Sequence, residues 1–395
     1  MRYHSLGDLP AKRHTQFRRD GALLVEEVMG YEGFSGNESI LYHLTSPCRV
    51  SEVLEFTPIQ RDEWVPDAHV HRLTNTAGVP ADGDPILGRR VLMWNTDVEI
   101  ALCKPARSVD WFYRNGEGDE VIFVTEGSGT LETVFGTLVF GRHDYIVIPR
   151  GTTYRFLLDG GEQTWLCFTT PGEIETPNRY RNRYGQLNEG APFSHRDFHP
   201  PELLVTHDEE GGRHELVVRV RDGYQRFALD YHPFDVVGWD GYVYPYTFNV
   251  HDFEPISGRI HQPPPVHQTF QGPNFVICSF CPRELDWDPL AIPLPYHHSN
   301  LQSEEMIYYV SGEFGSRRGV DVGSITLHPS GLPHGPQPGL VERALGVRRT
   351  EELAVMCDTF RPLRLSALAR ELDDPSYALS WQPERAGAGP VSTTG

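Results

Sequence analysis

The chain has 395 residues, 39% hydrophobic, 11% aromatic and 23% charged, which is enough for two ordinary domains with a core in each. Its formal net charge is −19, and no basic patch or stripe is visible. That excludes general binding to nucleic acid or to an anionic membrane, while a local pocket can still oppose the global sign.

The elements follow in chain order. The N-terminal MRYHSLGDLPAKRHTQFRRDG is polar and basic, without the apolar core of a signal peptide. No apolar run approaches the ~20 residues of a membrane span, so the sequence reads as cytoplasmic. Strand signals then dominate: DEVIFVTEG, GTLETVFGTLVF, DYIVIPRG, HELVVRVRDG, NFVICSFC, MIYYVSGEF and GSITLHPSG. Each is short, rich in β-branched and aromatic residues, and closed by Gly or Pro. The stretch from Pro171 to about Glu215 is polar and Pro-rich and reads as a long connection; His195, His199, His207 and His214 lie there with nothing to pair them. Of six cysteines, Cys278 and Cys281 form one C-x-x-C inside an apolar strand-like run, which reads as buried strand cysteines in place of a zinc or redox pair. The clearest helix is SALARELDD, with Ser366 as its N-cap, and the tail QPERAGAGPVSTTG reads as disordered.

An internal repeat organises the chain. DEVIFVTEGSG (Asp119 to Gly129) matches EEMIYYVSGEF (Glu304 to Phe314), and IVIPRGTTY (Ile146 to Tyr154) matches ITLHPSGLPH (Ile325 to His334). The fold class expected is all-β dominated, with two related barrels and few helices. The boundaries are residues 1–250 for an N-terminal domain with a degenerate barrel, 251–365 for a catalytic barrel, and 366–395 for a C-terminal helix and tail.

The pattern resembles the cupin superfamily, whose first motif supplies His and Glu around one strand and whose second contains P-x-G-x-x-H. In the second copy H-S-N-L-Q-S-E supplies His298 and Glu304, and H-P-S-G-L-P-H supplies His328 and His334. Two imidazoles and one carboxylate, His298, Glu304 and His334, would form a facial triad with open positions, a set suited to non-haem Fe(II). The corresponding first-copy positions are Tyr113, Asp119 and Tyr154, a poor divalent site, so the first barrel is expected to be metal-free and structural. His69 and His71 form an H-x-H with no carboxylate at cupin spacing and read as surface or packing residues. His297, next to a ligand, should face away from it, since successive strand residues point to opposite faces.

The resemblance extends to the homogentisate 1,2-dioxygenase family. It is carried by PFDVVGWDGYVYPYTFNV (Pro233 to Val250), by H-x-N-x-x-S-E (His298, Asn300, Ser303, Glu304), by LHPSGLPHGP (Leu327 to Pro336) and more weakly by GYEGFSGNESILYHL. These pieces span roughly residues 30 to 365. What the resemblance implies is Fe(II)-dependent opening of the homogentisate ring by O₂ to 4-maleylacetoacetate, in tyrosine and phenylalanine breakdown. It implies a small aromatic substrate as the partner and a homo-oligomer, trimers pairing into hexamers. By the same analogy a histidine near the iron aids deprotonation of the substrate hydroxyl; its match is His261 or His267. His328 would line the pocket and hydrogen-bond the substrate or oxygen.

The sequence also departs from that family. An arginine that follows the first ligand histidine there is Ser299 here, and a family tyrosine after the next strand is Phe314. Both would anchor the substrate carboxylate. Arg317, Arg318 and Arg283 are nearby in sequence as replacements, and Tyr296 stands beside the ligand segment as a further substrate-binding candidate. A hydroxyl does not replace a bidentate guanidinium. Alternatives therefore stay open: another hydroquinone or larger phenol as substrate, or a non-catalytic metal-binding bicupin.

Overall fold

The computed structural model describes residues 2–258, 264–315, 317 and 319–383. Strands are the dominant regular structure, and the α-helices among the described residues are the short segments Leu340–Ala344 and Ala367–Glu371. Ser366 caps the latter, its side chain accepting from the Ala369 N–H, as its position at the head of SALARELDD predicts. No helix among the described residues is long and apolar enough to cross a membrane.

Each repeat copy sits in its own β unit. In the first, the strand Asp119–Glu126 lies between Asp144–Ile148 and Thr164–Thr170, all antiparallel. In the second, Glu304–Ser311 lies between Ser324–His328 and Leu353–Thr359, also antiparallel. The alternation of side chains along a strand then sorts each unit into two faces. Ile122 and Val124 pack inward with Tyr113, Leu131 and Tyr154, while Val121 and Phe123 face the other way. Likewise Ile307 and Tyr309 pack inward with Cys278, Ala354 and Met356, while Met306, Tyr308 and Val310 face the first unit. The outward faces of the two sheets meet in one shared core. Phe123, Tyr145, Leu166 and Phe168 from one side pack in the same cluster as Phe270, Met306, Tyr308 and Val355 from the other. Burial at this seam, at ~25 cal/mol per Å² of apolar surface, holds the units together.

The units also exchange strands. Arg72–Asn75, far upstream, pairs with Ser324–His328 and so extends the second unit's sheet. Arg364–Ser366 pairs back with Arg90–Trp94 and Glu63–Trp64 of the first. Both strands cross the 250/251 boundary expected from sequence. The exchange brings residues just before Arg72 beside the second copy's P-x-G turn. That turn, like its first-copy equivalent, requires glycine: Gly151 and Gly331 have φ of +84° and +81°. The cysteines are all free; Cys278 and Cys281 are buried, as read from the apolar run around them.

Candidate metal centre

The acid pair at the start of each central strand splits between two jobs. Its first member ties down the turn. Asp119 accepts from the Arg150 and Ile174 N–H groups at 2.8 and 2.9 Å and from the Tyr31 hydroxyl at 2.7 Å. Glu304 repeats this, accepting from the Leu363 N–H at 2.7 Å and from the Ser330 backbone. The second member, Glu120 or Glu305, has the parity of the inward face. The carboxylate brought together with His298 and His334 is therefore Glu305, and the expectation of Glu304 is corrected: a one-residue step along a strand turns the side chain to the opposite face.

One Glu305 oxygen, one His298 nitrogen and one His334 nitrogen lie within 4.8 Å of one another. His298 and His334 are directly paired on two short strands, His298–Ser299 and Pro333–His334, which fixes their rings 4.3 Å apart. Glu305 Oε2 is 3.7 Å from His298 Nε2, and Oε1 is 3.4 Å from His334 Nε2. His334 is 1% exposed, yet its Nε2 has no hydrogen bond of good geometry. A buried ring nitrogen aimed at a carboxylate without a proper partner is what a ligand looks like without its ion. Two nitrogens and one oxygen, the three donors found among the described residues, fit a divalent transition metal with open positions.

The surroundings prepare the carboxylate. Burial alone would push Glu305 up; the three imidazoles that face it, His298, His328 and His334, outweigh burial and hold the group well below the ordinary carboxylate range. A deprotonated oxygen is what a metal requires. His328 is paired with Glu305 across the sheet, and its Nδ1 lies 2.7 Å from Glu305 Oε1. Burial pushes its imidazole down to about 3, so it is neutral. His328 is wholly buried, so its contact here is with the carboxylate.

Other sequence-selected residues take varied places. Ser299 and Tyr296 are exposed, and Phe314 packs its ring on Tyr309 at 4.7 Å. Arg317 is buried and donates from Nη1 to the Gly335 carbonyl at 2.8 Å. His267 is buried, its ring 4.8 Å from Phe280, and among the described residues it has no hydrogen bond or ring contact with the triad. His261 and Arg318 lie outside the described residues. His297 turns away, its Nε2 2.9 Å from the Pro336 carbonyl.

Four residues at the site are not singled out by the sequence for it. His71 does pack, and what it packs on is the centre: its ring is 5.5 Å from His328 and 5.9 Å from His334. Asp358 is directly across from Glu305 on the strand Leu353–Thr359, and burial together with Glu305 pushes it up to about 8. Tyr377 and Trp381 reach the site from the C-terminal segment, Tyr377 Oη lying 3.3 Å from His328 Nε2. None carries a local signal: strand pairing brings Asp358 to Glu305, strand exchange brings His71, and the C-terminal segment brings Tyr377 and Trp381.

The first copy shows what replaces an ion. Tyr113 pairs with Tyr154 as His298 pairs with His334, and Glu120 takes the place of Glu305. The inward acid is thus Glu120, where the sequence had suggested Asp119. Arg89 fills the space between: it pairs with Glu120, and its Nη2 donates to the Tyr154 hydroxyl at 3.1 Å. A guanidinium stands where a cation would sit.

Residues 68–250 match the family model described as homogentisate 1,2-dioxygenase N-terminal. The "Putative dioxygenase SSO1533" of Saccharolobus solfataricus is 44% identical over 382 residues, covering 96% of this chain and 98% of that one. Homogentisate 1,2-dioxygenases of Rhodopseudomonas palustris and Nitrobacter hamburgensis are 28% and 30% identical, over 69% of this chain. The match spans 63% of the length of each, less than two thirds. Among solved structures, a cupin 2 conserved barrel domain protein from Leptotrichia buccalis aligns over 75% of this chain and 99% of its own, at 10% identity and a TM-score of 0.32. The near full-length likeness to the Saccharolobus protein and the match to the N-terminal family model converge on one conclusion: the chain belongs to the homogentisate 1,2-dioxygenase family.

Proposed function

We propose that this chain is an Fe(II)-dependent dioxygenase that opens the ring of a phenolic substrate with O₂, the iron being held by His298, Glu305 and His334. The observation that carries this reading is the pair of imidazoles and single carboxylate with ligand atoms within 4.8 Å, Glu305 and His334 buried and His298 half-buried. Iron bound there supplies the electron conduit and the template that bring ring and O₂ together. The chain's own residues do the rest. His328 orients the Glu305 carboxylate. Val276, Phe280 and Phe314, packed against the inward cluster of the second unit, offer apolar surface to an aromatic ring. His267 or His261 takes the proton of the substrate hydroxyl. Of His267→Ala and His261→Ala, the variant of the residue with that role should lose turnover while retaining iron; loss of iron instead would make it structural. The reading places the enzyme in the cytoplasm as a homo-oligomer, in line with its family.

The first substrate reading is homogentisate, opened to 4-maleylacetoacetate in tyrosine and phenylalanine breakdown. A second, a hydroquinone or larger phenol without the acid arm, is favoured by Ser299 and Phe314 at the positions of the expected carboxylate anchors. A charge-assisted pair contributes about 1.5–3 kcal/mol, or roughly ten- to a hundred-and-fifty-fold in binding. The test is kcat/KM for homogentisate against the matched hydroquinone lacking the carboxylate. A preference for the acid of that size supports homogentisate, and Arg317 is then the first cation to replace. Indifference, or the reverse preference, selects the second reading.

A further inference from the structure

The C-terminal turn docks on the metal centre through bonds to the residues just after His334. Trp381 Nε1 donates to the Gly335 carbonyl at 3.1 Å, and Gln337 Nε2 donates to Ser380 Oγ at 2.5 Å. Tyr377, just before the tethered residues and 2% exposed, turns its hydroxyl to His328 Nε2 at 3.3 Å. Its ring stacks with that of His328 and meets Trp381 edge-on at 5.4 Å. His328 in turn places Nδ1 2.7 Å from Glu305 Oε1. The hydrogens of this chain can run in one direction only. A carboxylate accepts, so His328 must donate from Nδ1. On the other side of the ring, Tyr377 Oη accepts from the Arg317 guanidinium, which can only donate, and so directs its own hydrogen to His328 Nε2.

We propose that Tyr377 is a positioning residue of the metal centre: its hydroxyl fixes the Nδ1–H tautomer of His328, which in turn fixes the Glu305 carboxylate for the ion. The inference rests on the reading of His298, Glu305 and His334 as metal ligands. It gives the C-terminal segment a role that its position, outside both β units, does not advertise. Groups that orient ligating carboxylates typically contribute 10–100-fold to metal affinity.

The test is Co(II) affinity, by competition with a chelator, for wild type, Tyr377→Phe and Ser380→Ala. The Phe variant keeps the ring and its packing and removes only the hydroxyl; the Ala variant cuts a tether of the same turn without touching His328. Tyr377→Phe should bind Co(II) about 10–100-fold more weakly, with an altered Co(II) visible absorption spectrum, and Ser380→Ala should bind as wild type does. Wild-type affinity in the Phe variant overturns the inference. So does an equal loss in Ser380→Ala, which would make docking of the turn the whole effect. A wild-type protein that takes up no Co(II) overturns the metal reading itself, and this inference with it. Should the Phe variant not fold, the ¹⁵N shifts of His328 in Zn(II)-loaded wild type decide: Nδ1–H upholds the proposal and Nε2–H overturns it.

Discussion

Glu305→Ala protein will purify without iron and will consume no O₂ with any phenol, whereas Glu304→Gln will keep both iron and turnover. The two residues are adjacent, both buried, and both acidic, so the pair separates a ligand from a structural acid cleanly. Glu305 is the group that faces His298 and His334. Removing it leaves two imidazoles, and a two-ligand site holds Fe(II) poorly. Glu304 instead accepts from the Leu363 N–H, a bond the amide oxygen of glutamine can also accept. His298→Ala and His334→Ala should match Glu305→Ala. Metal analysis of the purified proteins with O₂ uptake gives the answer. Full iron in Glu305→Ala together with depletion in Glu304→Gln would return the site to the assignment made from spacing alone.

Arg89→Ala should destabilise the first unit severely without altering iron content. Glu120 is 1% exposed at its side chain and Arg89 9%, so the pair is cut off from water. Breaking a buried pair from one side costs about 3–5 kcal/mol, because the remaining charge has no solvent. For a cooperative unit of about 200 residues that corresponds to a fall in Tm of roughly 6–20 °C. Replacing both members, as Arg89→Met with Glu120→Leu, should recover most of the loss, since apolar substitution of a buried pair is often neutral or better. Thermal melts of the single and double variants check this. A single variant that melts with wild type would mean that Glu120 has another compensating partner.

How much of this was legible follows from the kind of information each feature uses. The two copies and the β class were readable because strand signals and P-x-G turns are local. His298 and His334 were readable for the same reason. The acid was misplaced by one residue because counting forward from His298 ignores the length of the loop between it and the strand. Comparing DEV with EEM would have corrected it: the second acid of each copy shares the parity of Ile122 and Ile307, which face inward. His71 and Tyr377 were not readable. Each is delivered by chain that crosses between units or folds back from the C-terminus, and nothing local encodes such contacts. The same holds for Arg89, which pairs with Glu120 31 residues away.

The most direct test of the central claim is O₂ consumption by protein loaded with Fe(II) under anaerobic conditions and then mixed with a panel of phenols that includes homogentisate and its carboxylate-free analogue. One O₂ should be taken up per ring opened, with loss of the aromatic absorption, for at least one member of the panel, and none for Glu305→Ala. Iron-loaded wild-type protein that leaves every ring intact, or Glu305→Ala protein that opens rings as fast as wild type, would contradict it.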